Sequence, residues 1–214
     1  MPDSLDSVWT RLEAWLSTHL LPVVARDTPG ATLGHILRPG LSEAAVAAAE
    51  TTFGFSFPAD FRASLLRHDG AVFWPGTEDF LTLAAAWEDT RMRRELLAEQ
   101  TTGPEVVVDG VRQVWWDAGW WSLNSDGGGN GLVLDARPPA GGVAGQVLDF
   151  DHETTDRPRR HASFMAYLED VLARLDSGWY VASEWLTARN LLAPDHPEYT
   201  EDDYATWLAR QPRP

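Results

Sequence analysis

Apolar residues recur at helical spacing near the start of the chain, where Val8, Leu12, Trp15, Leu16 and Leu20 share one face behind an acidic start at Asp3, Ser4 and Asp6. A connector rich in Pro and Gly, residues 27–39, separates this helix from the next element. Ser42 is placed to cap a helix running to Phe53, and Gly54 to stop it in the left-handed conformation. Pro58 and Asp60 open a second short helix through Leu66, closed at Asp69-Gly70, and a third helical stretch covers 81–98. The pattern then shortens. Segments 106–108, 111–116, 120–124, 131–135 and 145–150 read as strands between Gly and Pro clusters, with 125–130 as the tightest hairpin. After Ser163 the stripe Phe164, Tyr167, Leu168, Val171, Leu172 and Leu175 marks an amphipathic helix. The tail adds helices over 181–192 and from Thr200, whose spacing to Asp203 fits a capping box. Helices, an antiparallel meander and helices again make an α+β fold, its sheet partly covered by helices.

Composition narrows the chemistry. The 214 residues suit one domain, which buries roughly 70% of its unfolded surface without a metal or disulfide. All 17 basic residues are arginine and there is no cysteine. Thiol nucleophiles, Cys-type zinc sites, the P-loop lysine and pyridoxal Schiff bases are therefore excluded, and no cofactor is expected. A single isoleucine, Ile36, accompanies the missing lysines, a pattern of GC-rich coding that lessens their functional meaning. A formal charge of −15 disfavours nucleic acid and anionic membranes and favours basic partners, or serves solubility alone. The N-terminus lacks a basic leader, and the apolar stretch 80–87 falls far short of the ~18 residues of a span. A cytoplasmic protein is expected.

The order of motifs carries more information than any one of them. From Leu41 the chain runs through Ala49-Glu50, Phe53-Gly54, Phe57-Pro58-Ala-Asp60-Phe61, Leu65-Leu66 and His68-Asp69-Gly70. Then come Trp115-Trp116, Trp120-Trp121, Asp126-Gly-Gly-Gly-Asn130, Asp135, Gly145-Gln146-Val147 and Asp151-His152-Glu153. Over about 41–178 this resembles the SUKH superfamily, the Smi/Knr-like family, with Phe57 where Leu is usual and Asp69 where Asn often stands. The whole chain is then one such domain, with helical extensions at 1–40 and 179–214. The resemblance implies a non-enzymatic protein-binding fold. Its bacterial members are largely inferred immunity proteins against secreted toxins, and its fungal relatives are regulators. A regulatory or scaffold role is thus the alternative among binding functions.

Candidate sites follow from residue chemistry. The glycines after Asp126 could offer N–H groups to an anion, or could simply turn a hairpin whose Asp126 and Asn130 side chains bond its backbone. On a strand, Asp149 and Asp151 share one face, leaving Leu148, Phe150 and His152 on the other. With Glu153 and Asp156 they form an acidic strand end, open to a hard cation, a basic partner or solvent alone. Each adjacent tryptophan pair sends one ring to each face, so Trp116 and Trp121 are candidate interface anchors or a carbohydrate platform, the other rings packing in the core. The partner-binding set is Trp116, Trp121, Asp126, Asn130, Asp135, Asp149, Asp151 and Glu153. Its partner is a protein, such as a basic toxin domain neutralised by occlusion. A hydrolase using Asp126, Asp135 and Asp149 is the enzymatic alternative, although no nucleophile elbow or zinc motif is present. The arginine groups 91–94 and 157–160 are too small for nucleic acid at this net charge.

Overall fold

The computed structural model describes residues 4–75, 79–98, 106–182 and 201–209. Helix α1 (Leu5–Trp15) begins at Ser4, whose hydroxyl accepts the Ser7 N–H at 3.2 Å. It passes through a π-helical turn, Leu16–Leu20, into α2 (Leu21–Asp27). Pro22 in the first turn of α2 has no N–H to return to the preceding carbonyls, and the wider turn accommodates that loss. Val8, Trp9, Leu12, Leu16 and Leu20 are all fully buried, so this segment belongs to the main core.

Strand β1 (Leu37–Pro39) lies inside the presumed connector. It pairs antiparallel with β2 (His68–Val72), which occupies the Asp69-Gly70 positions read as a helix stop. Helices α3 (Glu43–Phe53) and α4 (Ala59–Arg67) lie where expected, α4 starting after Pro58 without a side-chain cap. Ser42 Oγ accepts the Ala45 N–H at 3.2 Å, and Gly54 ends α3 at φ 94°. Gly70 has a tighter reason for being glycine: at φ 77° a Cβ there would meet the Phe80 carbonyl oxygen at 2.5 Å. Next to it, Asp69 Oδ1 accepts the Leu83 N–H at 2.6 Å and caps the start of α5 (Leu83–Ala98).

Two antiparallel four-stranded sheets follow. The first has the order β1, β2, β3 (Asp79–Phe80) and β7 (Asn124–Ser125). The second comprises β10 (Arg159–His161), β9 (Gln146–Phe150), β8 (Gly131–Asp135) and β6 (Trp120–Ser122). Leu123 joins them, donating to the Leu132 carbonyl and accepting from Leu81 N–H, each at 2.9 Å. A small hairpin of β4 (Val107–Val108) and β5 (Val111–Arg112) stands apart, so the presumed strand 111–116 is regular only at its start. The open edge of β6 is covered by α5, whose Thr90 hydroxyl accepts the Ser122 N–H at 3.1 Å.

The sheet is buried on both faces. Against one lie α1, α4 and α6 (Phe164–Asp176), with Ser163 Oγ capping α6 through the Ala166 N–H at 3.0 Å. The whole expected stripe of α6 is buried, each side chain contributing ~1.5–3 kcal/mol by leaving water. On the other face Val111, Trp116, Trp120, Val133, Leu148 and Phe150 form a second cluster under the 106–117 excursion. Helix α7 (Glu201–Ala209) sets Tyr204 and Trp207 against Trp179, at ring separations of 5.1 and 5.3 Å. The expected helix 181–192 falls, from residue 183, outside the described residues, as does the Thr200 cap. No described helix is long and apolar enough to cross a membrane.

Candidate partner-binding cleft

The hairpin loop between β7 and β8 consumes its own donors. Asp126 Oδ1 accepts the backbone N–H groups of Gly128 (2.7 Å) and Asn130 (3.0 Å), and Oδ2 accepts the Asn130 amide at 3.0 Å. Partial burial works to raise the Asp126 pKa, but these donors outweigh it and hold the carboxyl below its usual range. The Gly128 and Asn130 N–H groups are thus spent on an internal carboxylate and that of Gly127 on Ser125 Oγ at 3.2 Å, as the turn interpretation expects. The loop is also tied down from outside. Arg93 Nη1 donates to the Gly129 carbonyl at 3.0 Å, and Asn130 Oδ1 accepts the His152 N–H at 3.1 Å.

Behind this loop a cleft of about 580 Å³ opens between the β8–β9 end of the sheet and α6. Register explains what its floor presents. Leu132 and Asp149 are paired across β8 and β9, and the alternation that turns Leu148 and Phe150 into the second cluster turns Asp149 toward α6. Asp149 is ion-paired with Arg160 of β10 at 2.7 Å. On the α6 wall, Arg174 donates to Asp170 at 2.7 Å, one turn away. With Asp126 and Asp151 the lining counts four aspartates against two arginines, a formal excess of two negative charges. Tyr167 forms the apolar back of the cleft; burial pushes its phenol well above the ordinary tyrosine pKa, and its oxygen accepts the Trp74 indole N–H at 2.7 Å.

Four of the residues singled out from sequence therefore line one cleft: Asp126, Asn130, Asp149 and Asp151. Glu153 stands exposed beside them, its N–H donating to Asp151 Oδ1 at 2.8 Å. Three others do not reach the surface. Trp116 and Trp121 are each 1% exposed, which removes both as interface anchors. Trp121 sits in the main core against Phe53 and Phe57, while Trp116 lies in the second cluster, because the chain covers both faces of the sheet. Asp135 is fully buried, accepting from Gln146 Nε2 at 3.0 Å and from the Arg137 N–H at 3.1 Å. It lies outside the cleft, so the hydrolase trio of Asp126, Asp135 and Asp149 does not converge on one cavity. Among the described residues no group of three or more acidic or histidine side chains is placed to hold a metal ion.

The wall supplied by α6 escaped the sequence reading, although the i,i+4 spacing of Asp170 and Arg174 was a usable signal. Arg157, which by sequence is only one of a small basic group in a loop, turns out to be buried. Its side chain is 1% exposed and donates to the carbonyls of Trp115 (2.7 Å), Thr154 (2.9 Å) and Asp156 (2.6 Å). Burial lowers its pKa to about 10, and its guanidinium lies 4.5 Å from the Phe150 ring centre. It locks the 151–158 loop over the second cluster.

Asp135 has a pH signature. Burial raises its pKa over the opposing hydrogen bonds from Gln146 and Arg137, so the fold favours the neutral acid. Its contribution to stability is fully present below the unfolded pKa of ~3.9 and is lost as pH rises through the folded value. The gap in urea unfolding free energy between wild type and Asp135→Asn, taken as wild type minus variant, is expected to grow in favour of wild type as pH falls from about 7 to about 4. A gap moving the other way would show that the fold favours the carboxylate.

No curated protein matches the chain. Residues 40–170 match the SMI1/KNR4 family (SUKH-1), a stretch that starts just before α3 and closes within α6. That match covers about three-fifths of the sequence and includes every described strand but β1 and most of the cleft, and on it the chain belongs to the SMI1/KNR4 family, SUKH-1.

Proposed function

We propose that the chain binds a protein partner of basic surface through the cleft between β8–β9 and α6, and acts as the immunity protein for a cognate toxin by occluding it. The observation that carries this reading is the gathering of Asp126, Asn130, Asp149 and Asp151 at one concave surface with net negative charge. Family membership supports it, since SUKH-1 proteins are immunity-type components of polymorphic toxin systems and are generally non-catalytic. The physical arrangement suits recognition. Asp149 and Asp170 are held by arginines, and the Asp126 loop is held by its own backbone, so little side-chain ordering is left to oppose binding. Asp151 and Glu153 stand exposed at the rim and supply long-range attraction. With both inner tryptophans buried, Tyr180 at the cleft edge takes over the proposed role of aromatic anchor.

The test takes as partner a secreted-toxin domain from a gene adjoining the one for this chain, and the lack of any such gene would itself overturn the immunity reading. Its association rate with the chain is expected to fall roughly tenfold between about 50 and about 500 mM salt. The double charge reversal Asp151→Lys, Glu153→Lys is expected to lower the rate similarly at low salt, leaving dissociation nearly unchanged. Binding indifferent to salt would overturn acidic steering, and absence of binding would overturn the immunity reading.

A further inference from the structure

A second cleft, about 410 Å³, shares no lining residue with the first. It opens where the end of α3 meets α5 and the turn before β6, and Phe53, Phe55, Leu97 and Ala118 form its apolar surface. Among the described residues its only charged lining side chains are Arg94 and Arg137, in a chain whose formal charge is −15. Arg94 is half-buried. Its Nη2 donates to the Ala118 carbonyl at 2.5 Å, its guanidinium lies 4.2 Å from the Phe53 ring centre, and its Nε is buried with no hydrogen-bond partner. Burial lowers its pKa against a weaker opposing pull from Asp117. That carboxylate is already engaged, by the Gly119 N–H at 2.7 Å and by Arg112 at 3.6 Å. Arg137 uses its backbone N–H on Asp135 and its carbonyl on Arg112, while its exposed guanidinium has no partner among the described residues.

We propose that this cleft is an anion site that takes a carboxylate carried on an aromatic or aliphatic stem, with the carboxylate set against Arg94 and Arg137 and the stem against Phe53, Phe55 and Leu97. Two guanidinium groups without an ion-pair partner among the described residues make a suitable receiver for one carboxylate, and apolar surface beside them removes water from the contact. A carboxylate would also offset the cost of holding Arg94 charged while half-buried. The site favours a single negative charge over a phosphate dianion. A dianion costs far more to strip of water beside the apolar surface of Phe53, Phe55 and Leu97, and inorganic phosphate brings no stem to bury there. This inference stands apart from the acidic cleft and does not depend on its partner.

The test follows the backbone amide signals of Gly54, Ala118 and Gly119 by NMR during titration with 3-phenylpropionate. A parallel titration uses the peptide acetyl-Phe-Glu-amide, with 3-phenylpropionamide, acetyl-Phe-Gln-amide and inorganic phosphate as controls. Saturable shifts with the free acid alone would identify a small-molecule carboxylate, and saturation with the peptide would identify an acidic side chain of a protein. Arg137→Gln, at an exposed position, is expected to weaken binding about tenfold with the fold unchanged. The proposal is overturned if neither carboxylate saturates, if the neutral amides or phosphate bind as well, or if Arg137→Gln binds as wild type does.

Discussion

Replacing Trp121 with alanine is expected to cost about 4 kcal/mol, a large part of the ~5–15 kcal/mol that holds an ordinary domain together. The ring is 1% exposed. Its centre lies 4.7 Å from Phe53 and 5.0 Å from Phe57, both edge-on, and 6.4 Å from Trp87, stacked. These contacts clamp β6 to the end of α3 and to α5, so the cavity left by alanine would be bordered by rigid rings that collapse poorly. Urea unfolding checks this through the midpoint. Trp115→Ala, at a half-buried position, should cost clearly less. A loss below about 1 kcal/mol for Trp121→Ala would mean that the ring is not part of the packed core.

Trp9→Ala is expected to have an effect of similar size, about 4–5 kcal/mol, although it lies outside the family match. Trp9 is fully buried, its ring 4.9 Å from His68 and 5.7 Å from Trp74, and its indole N–H donates to Ser64 Oγ at 3.1 Å. Ser64→Ala removes only the hydrogen-bond acceptor and should cost about 1 kcal/mol, separating ring packing from the polar contact. Charge ties the same helix down. Arg67 of α4 donates to Glu13 at 2.6 and 2.9 Å, and this bond leads the causes that hold the Glu13 carboxyl below its usual range. If Trp9→Ala unfolds at the wild-type urea midpoint, α1 is an appendage and not part of the core.

The elements that were legible in the sequence are those whose causes are local. Ser42 and Ser163 cap, Gly54 stops, and α6 repeats its apolar residues every three or four positions, so nothing distant was needed to place them. Strands β1, β2 and β10 were not legible. They span three, five and three residues, read Leu-Arg-Pro, His-Asp-Gly-Ala-Val and Arg-Arg-His, and carry no clean alternation. What makes them strands is a partner far along the chain, as when Leu37 pairs with Ala71.

The candidate site divides along the same line. The Asp126–Asn130 turn was legible because its hydrogen bonds close within five residues. The period of two correctly put Asp149 and Leu148 on opposite faces, but it also suggested that one ring of each tryptophan pair lies open. That inference assumed one bare face. The 106–117 excursion and the 151–158 loop, locked by Arg157, cover that face and bury Trp116 and Trp120, while Trp121 turns to the other face, into the main core.

By itself, the sequence determined the family, the capped helices, the hairpin turn and the exclusion of lysine and cysteine chemistry. It also determined the overall acidity that the opposing arginine pair in the second cleft makes conspicuous. Only the tertiary structure decided which acidic residues meet in one cleft, that α6 contributes Asp170 and Arg174 to it, and that Asp135 and the two inner tryptophans are out of reach. The physical reason is range. Capping, turn formation and periodicity act over a few residues, whereas burial and convergence depend on which segment covers which face, and that is settled by packing between segments tens of residues apart.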